Sequence, residues 1–237
     1  MPREKVIKDI VRKFHKYNED EHNTLLRLRD KAKLVLLKLE ERGIKAFVHG
    51  SVARGDVTSK SDIDIFIPYN ISSFRLDLIE IFAKAERRII MGTTNSNIKG
   101  LLTISGDISV SFPLTPPTER EVEFHMFSGS VYLKDIQAKT YVPGVTKQLL
   151  LIEPAINGYW YSSILNNKKR ATKCLKISQR MIDERIRVLV RRDRIGRTGI
   201  FLNHLLSPDD NFEQTLHQLS SQNIIIRRKL QKSNISY

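Results

Sequence analysis

Apolar residues in the first part of the chain recur at helical spacing. Between residues 6 and 14, and again between residues 25 and 39, they step by three and four positions, which predicts two amphipathic helices. Gly43 is a suitable stop for the second helix. A third helix is expected over residues 72–87, because a serine at its start can cap it and its apolar residues share one face.

Other segments show the shorter runs and the alternation that are typical of strands. Some are bounded by Gly, Ser or Pro, and a Gly106-Asp107 pair predicts a hairpin turn between two of them. The predicted strands cover residues 46–49, 63–67, 102–104, 108–112 and 122–127. We expect the last three to belong to one sheet.

After Gly129 the pattern becomes mostly helical, first over residues 149–152 and then in a long stretch over residues 164–189. The fold class that we expect is α/β. It consists of a small mixed β-sheet with packed helices in residues 1–130, followed by a basic, mostly helical domain in residues 131–237.

Composition narrows the classes of partner. With 237 residues, of which 41% are hydrophobic, the chain can bury a sizeable core. The 40 Lys and Arg residues outnumber the 26 Asp and Glu residues, which gives a net charge of +14. This excess favours a polyanionic partner such as a nucleic acid, a nucleotide or an anionic lipid.

Cysteine usage and the apolar runs bear on location. The single cysteine, Cys174, excludes a disulfide framework and a cysteine-based zinc site, and it suits a reducing compartment. The residues after Met1 lack the apolar core of a signal peptide, and no apolar run approaches the length of a membrane span. We therefore expect a soluble, cytoplasmic protein without a membrane partner, and its oligomeric state is left open.

Two aspartates, Asp62 and Asp64, alternate with Ile63 and Ile65 at the start of the predicted strand over residues 63–67. Side chains alternate along a strand, so both carboxylates point to one face about 7 Å apart. Paired like charges repel, which makes the arrangement costly unless a cation lies between them. Mg²⁺ is the natural candidate, with Mn²⁺ as the other, because it prefers carboxylate and phosphate oxygens; a second ion about 3.5–4 Å away would complete a two-metal site for phosphoryl transfer.

Gly50 and Ser51 follow the preceding predicted strand. Glycine lets backbone N–H groups approach a phosphate closely, and the serine hydroxyl adds a donor. In isolation, a Gly-Ser pair is more often a turn and an Asp-x-Asp more often a solvated strand end. Their combination favours a nucleotide site.

The run Gly50-Ser51-Val52-Ala53-Arg54-Gly55, followed by Ser61-Asp62-Ile63-Asp64, resembles the DNA polymerase β nucleotidyltransferase superfamily, in particular its minimal nucleotidyltransferases. The resemblance is firm over residues 46–67 and looser through residue 127. It implies that Gly50 and Ser51 hold the triphosphate of an NTP, that Asp62 and Asp64 bind the divalent ions, and that Arg54 steadies the phosphates.

Enzymes of this kind also need a third carboxylate on a neighbouring strand, which binds the catalytic metal and draws the proton from the attacking hydroxyl. We choose Glu123 as this catalytic and metal-binding residue, because Val122, Phe124 and Met126 could face the core of a strand while Glu123 faces the site. Glu121 and Asp107 are the alternatives. A glutamate departs from the usual aspartate of the superfamily.

Residues 168–197 carry twelve Lys and Arg against three acidic residues, and twelve minus three gives +9 in thirty residues. An apolar stripe indicates a packed helix whose other face is basic. That face is either a solvated surface or a surface that tracks the phosphates of an RNA. The candidate nucleic-acid contacts are Lys169, Lys173, Arg180, Arg187 and Arg191.

These features predict Mg²⁺-dependent transfer of a nucleoside monophosphate from an NTP to an acceptor hydroxyl, with an RNA end as a candidate acceptor. A small molecule or a protein is an equally admissible acceptor. Two other classes stay open: a nucleotide- or RNA-binding protein of the same fold that has weak or no turnover, and an interaction protein whose basic helix binds a partner chain.

Overall fold

The computed structural model describes residues 5–196 and 199–233. Helices and strands alternate irregularly along this part of the chain. In chain order the elements are β1 (Lys13–Lys16), α1 (Glu19–Glu40), β2 (Phe47–His49), α2 (Ser51–Arg54), β3 (Ile63–Phe66), α3 (Phe74–Asp77), a 3₁₀ turn (Glu80–Phe82), β4 (Glu86–Met91), β5 (Lys99–Ser105), β6 (Ile108–Pro113), α4 (Glu119–Phe127), β7 (Ser130–Tyr132), α5 (Leu133–Gln137), β8 (Gly144–Val145), β9 (Leu150–Ala155), β10 (Gly158–Ser163), α6 (Lys168–Leu175), α7 (Gln179–Ile195), β11 (Leu202–Leu205), α8 (Phe212–Gln222) and α9 (Ile224–Lys232). The predicted combination of sheet and packed helices is confirmed.

The chain forms two compact units, each assembled from three stretches. Unit 1 comprises residues 1–34, 47–63 and 119–198, and unit 2 comprises residues 35–46, 64–118 and 199–237. The division therefore differs from the predicted boundary at residue 130, because each unit takes residues from both sides of that position.

Unit 2 is built around strands that neighbour one another in the order β11, β4, β5, β6 and β3. The pairs β11–β4, β4–β5 and β5–β6 are antiparallel. Phe112 of β6 lies across Gly100 of β5 and meets Phe212 of α8, with ring centroids 5.1 Å apart. A Cβ atom on Gly100 would collide with the Phe112 ring, so glycine is required for this packing.

Unit 1 contains a four-stranded antiparallel sheet in the order β1, β10, β9 and β8, and it also contains the antiparallel pair of β2 with β7. Its helices α4, α6 and α7 contribute to one apolar core. The buried members of that core are Phe127, Val145, Leu149, Leu151, Ile164, Ala171, Leu175, Ile177, Met181, Ile182 and Leu189.

Helix α1 is the best-formed of the predicted helices. Asn18 Oδ1 accepts from the Glu21 backbone N–H at 2.8 Å, and Glu21 Oε2 accepts from the Asn18 backbone N–H at 3.0 Å. This reciprocal pair satisfies two donors at the start of the helix. The buried residues Leu25, Leu28, Ala32, Val35 and Leu39 form the apolar stripe that the sequence predicted.

Several predicted elements are wrong. The predicted helix over residues 6–14 contains no described helix and ends in β1, and the one over residues 72–87 is reduced to α3 and the 3₁₀ turn before β4 begins. Residues 122–127 lie in helix α4, whereas residues 149–152 belong largely to strand β9. The segment after residue 130 is therefore rich in strands up to Ser163, and most of its helix comes later.

The long helix predicted over residues 164–189 is interrupted. Helix α6 ends at Leu175, its C-cap Lys176 has a left-handed backbone with φ of 53°, and α7 begins after its N-cap Ser178. Within the described ranges, no helix combines the length and apolar character that a membrane crossing requires.

Candidate active site

The Gly50-Ser51 pair lies where strand β2 ends. Phe47 and Val48 are buried, and Gly50 follows with a φ of 82°. Non-glycine residues rarely adopt this conformation. A Cβ atom placed on Gly50 would have no neighbouring atom within 4 Å, so the backbone here faces open space. The position therefore requires glycine and leaves room for a group to approach the main chain.

A tight turn connects this pair to the aspartates. Ser61 Oγ accepts from the Thr58 backbone N–H at 2.9 Å, and Ser61 N–H donates to the Thr58 carbonyl at 3.0 Å. Ser51 Oγ donates to Ser61 Oγ at 3.3 Å. The structure thus brings the Gly-Ser pair and the residue before Asp62 into direct contact.

The alternation expected around the two aspartates is present. Ile63 and Ile65 are fully buried, Asp62 is exposed and Asp64 is half-buried. Asp64 Oδ1 accepts a hydrogen bond of 2.9 Å from Ser109 Oγ. Two carboxylates on the side of β3 away from the core supply the hard oxygen donors that Mg²⁺ and Mn²⁺ prefer, so this donor set fits one divalent ion whose remaining ligands are phosphate oxygens and water.

Arg54 does not fit the predicted role of a phosphate ligand. It is buried, and its guanidinium donates to both oxygens of Asp56, at 2.8 and 2.9 Å, and to the Ser128 carbonyl at 2.7 Å. All three of its side-chain nitrogens are therefore bonded inside unit 1. Arg54 holds the chain after β2 against the segment that precedes β7.

Asp56 itself is a carboxylate that is largely buried, with a side chain 10% exposed, and the sequence reasoning missed it. Burial raises its pKa, and the charge and hydrogen bonds of Arg54 oppose that rise. Burial also raises the pKa of two neighbouring phenols, that of Tyr159 to about 12 and that of Tyr17 still further, and the negative charge of Asp56 contributes in both cases. The pair Arg54 and Asp56 is thus the charged centre of a packed region.

Glu123 does not occupy the predicted strand. It lies on helix α4, where His125 and Phe127 are buried and Val122 and Met126 are exposed, opposite to the predicted register. Its two carboxylate oxygens accept from the backbone N–H and the hydroxyl of Ser178, at 2.7 and 2.8 Å. Ser178 is the N-cap of α7, so the carboxylate of Glu123 connects helix α4 to the start of helix α7.

The two alternatives for a third carboxylate are placed as follows. Glu121 also lies on α4. Asp107 lies in the turn between β5 and β6, as predicted, and accepts from Ser105 Oγ at 2.8 Å. Among the described residues, no group of three or more His, Cys, Asp and Glu side chains is close enough together to hold a metal ion.

The side chain that meets Asp64 is Ser109, which the sequence reasoning did not consider. It lies on β6, where Val110 and Phe112 are buried and Ser109 and Ser111 take the alternate positions. The alternation of residues 108–112 was visible in the sequence and predicted which residues share a face. The sequence did not predict which strand lies next to β6 in the sheet, because strand order depends on contacts between distant residues.

The basic segment contains the exposed residues that were predicted. Lys169 and Lys173 on α6, and Arg180, Arg187 and Arg191 on α7, are all exposed. Arg185 is an exception within the segment, because it packs over the ring of Phe124 at 4.6 Å and burial lowers its pKa to about 10. Arg197, the last residue counted, lies outside the described residues.

Residues 29–125 match the family model of the nucleotidyltransferase domain. This match confirms the resemblance to the nucleotidyltransferase superfamily over residues 29–125. Searches of curated proteins and of solved structures each found no match to this chain.

Proposed function

We propose that the protein transfers a nucleoside monophosphate from an NTP to an acceptor hydroxyl in a Mg²⁺-dependent reaction. The acceptor oxygen attacks the α-phosphorus, and the bond from that phosphorus to the bridging oxygen of the β-phosphate breaks. Pyrophosphate leaves with the electron pair of that bond, and the proton of the acceptor hydroxyl passes to solvent water. The observation that carries the proposal is the contact of Ser51 with Ser61, which joins the open Gly50 turn to the Asp62 and Asp64 segment inside the matched domain.

Each residue has a stated task. Gly50 and Ser51 bind the triphosphate through the backbone and the hydroxyl, and Asp62 and Asp64 hold the divalent ion. Bound there, Mg²⁺ or Mn²⁺ would neutralise phosphate charge and polarise the bond to the α-phosphorus. ATP is the first nucleotide to test. Arg54 and Glu123 are not assigned to the site, because their polar atoms bond other residues.

An RNA is the acceptor that we propose. Five exposed basic side chains on α6 and α7 support this choice, since a surface with excess positive charge attracts phosphates. The single cysteine, Cys174, suits a reducing compartment such as the cytoplasm. The net charge of +14 favours a polyanionic substrate such as RNA or a nucleotide.

Nucleotide binding with weak or no turnover is the second candidate. Two observations favour it: Glu123 bonds Ser178 with both oxygens, and the residue that meets Asp64 is a serine. A neutral hydroxyl cannot take a proton from an acceptor as a carboxylate does. Binding of an NTP with a divalent ion is common to both candidates.

The test is incubation with α-labelled NTPs, Mg²⁺ and a mixture of RNA, small molecules and the protein itself. We expect label in RNA, dependence on Mg²⁺, and loss of the label in the double variant Asp62→Asn with Asp64→Asn. The matched control replaces two exposed aspartates elsewhere, Asp30→Asn with Asp209→Asn, and should retain transfer. Metal-dependent NTP binding without label in any acceptor would select the second candidate, and label that persists in the double variant would contradict the proposed site.

The acceptor surface has its own test. Charge reversal at Arg187 and Arg191, one helical turn apart on α7, should lower RNA affinity. It should also reduce the slope of log affinity against log salt by about 0.7 for each single-strand phosphate that the helix no longer neutralises. The matched control is charge reversal at Arg228 and Lys232 of α9, which are also exposed and four residues apart. Equal effects of the two pairs would mean that only net charge matters.

A further inference from the structure

Ser109 occupies a position next to the proposed metal ligands. Strand β6 neighbours β3 in the sheet of unit 2, and Ile67 N–H donates to the Ser111 carbonyl at 3.0 Å. Ser109 Oγ lies 2.9 Å from Asp64 Oδ1. Ser109 is therefore the β6 residue whose side chain shares a face with the Asp64 carboxylate.

The chemistry of that position limits how many ions the site can hold. A pair of divalent ions concentrates four positive charges, which need several anionic ligands to offset them. Asp62 and Asp64 supply two carboxylates, whereas β6 reads Ile-Ser-Val-Ser-Phe-Pro and contributes hydroxyls on this face. A hydroxyl is neutral and the Ser109 hydroxyl already donates to Asp64, so it adds no negative charge.

The other acidic candidates have different surroundings. Asp107 accepts from Ser105 in the hairpin turn, and Glu123 accepts from Ser178 on α7. The described part of the chain holds no cluster of three His, Cys, Asp and Glu side chains that could enclose an ion. The position of Ser109 is thus the one on the neighbouring strand at which a carboxylate would join Asp64.

We propose that this site binds one divalent ion together with the NTP, and that Ser109 stands where a carboxylate would be needed to hold a second. The inference rests on the proposed function, because it takes Asp62 and Asp64 as ligands of the nucleotide-bound ion. It assigns Ser109 as the residue that sets the number of ions in the site.

The test counts Mn²⁺ ions by electron paramagnetic resonance in the presence of an NTP analogue with a non-hydrolysable α,β-bond. We expect one ion per wild-type chain and two in Ser109→Asp, with spin coupling between the two ions as a second signature. Ser109→Asn, which adds similar bulk without charge, and Ser111→Asp, which adds the charge two residues further along β6, should each retain one ion. Circular dichroism of each variant confirms that the fold is preserved.

The possible results separate the two proposals. Two ions in the wild-type protein would overturn the inference about Ser109 and leave the proposed function in place. One ion in the wild type and still one in a folded Ser109→Asp would overturn it as well. The absence of any nucleotide-dependent Mn²⁺ binding in both proteins would instead overturn the proposed function, and the inference with it.

Discussion

Two serine-carboxylate pairs in this protein have similar chemistry and different surroundings. In unit 2, Ser109 donates to one oxygen of Asp64 on a neighbouring strand. In unit 1, Ser178 donates to both oxygens of Glu123, once through its hydroxyl and once through its backbone N–H. The first carboxylate lies within the Asp62–Asp64 motif, and the second links two helices. A carboxylate's role thus depends on what its oxygens already bind, which residue type alone does not reveal.

The largest effect on stability is expected when the ion pair of Arg54 with Asp56 in unit 1 is broken. Arg54→Met removes the guanidinium and leaves the carboxylate buried without its cation, which should cost about 3–5 kcal/mol of unfolding free energy. Burial already raises the pKa of Asp56, and the loss of Arg54 removes the interactions that lower it. A raised pKa means that stability is lost as pH rises, so the variant should be less unstable at acidic pH than at neutral pH.

Urea unfolding of the wild type and the variant at two pH values measures this effect. Asp56→Asn in the Arg54→Met background removes the buried charge and should recover part of the loss. A variant as stable as the wild type at neutral pH would show that the pair is not a structural centre.

Replacing carboxylates by amides in the Asp62–Asp64 motif and at Glu123 should distinguish residues that bind the NTP from a residue that only stabilises the fold. Asp62→Asn with Asp64→Asn should weaken Mg²⁺-dependent NTP binding by roughly 100-fold or more, because removing metal ligands exceeds the 10- to 100-fold cost of altering their supporting residues. Glu123→Gln should leave NTP affinity unchanged. Calorimetric titration with and without Mg²⁺ makes the comparison, and a loss of NTP affinity in Glu123→Gln would return Glu123 to the site.

The two serines should differ in how much each stabilises the fold, with the larger loss expected at Ser178. Ser178→Ala removes the N-cap of α7 and a donor to Glu123, so it should lower the unfolding free energy by about 1 kcal/mol. Ser109→Ala removes one hydrogen bond at a half-buried site, so about 0.5 kcal/mol is expected. Thermal unfolding of both variants without metal tests the order, and a larger loss for Ser109→Ala would show that its main task is structural.

The smallest effect is expected from the Tyr159 phenol, whose contribution to the free energy of unfolding changes only at alkaline pH. Burial raises the pKa of Tyr159 from 10.0 to about 12, so the unfolded chain releases this proton before the folded protein does. Its contribution to stability is therefore present below pH 10 and is lost as pH rises towards 12. Tyr159→Phe should make the decline of stability between these values shallower, as measured by urea unfolding. An unchanged decline would place the loss of stability in other groups.

The sequence predicted the motif region well because its signals are local. Ile63 and Ile65 alternate with two aspartates, the adjacent segments contain Gly and Ser, and each element spans only a few residues. The positions of β3 and of the hairpin turn at Gly106 and Asp107 follow directly. Nothing in that reasoning needed a contact between distant parts of the chain.

The region around Glu123 could not be predicted in this way. Val122, Phe124 and Met126 alternate as in a strand, and the same stretch also places Phe124 and Phe127 three residues apart, as in a helix. Packing of α4 with α7, including Arg185 over Phe124, favours the helical arrangement. The apolar run over residues 149–152 was ambiguous for a similar reason, because a short buried strand and a short buried helix read alike.

The interleaved assembly of the two units has a consequence for a chain that is still being synthesised. In unit 2, strand β11 pairs with β4, and Leu202 is the partner of Met91. This pairing cannot form until Leu202 has left the ribosome. At about 5–20 residues per second, the β4 edge stays open for several seconds, during which its unpaired N–H and C=O groups can bind another nascent chain. Synthesis of this protein therefore passes through a partly folded stage in which a chaperone that shields strand edges would raise the yield of native protein.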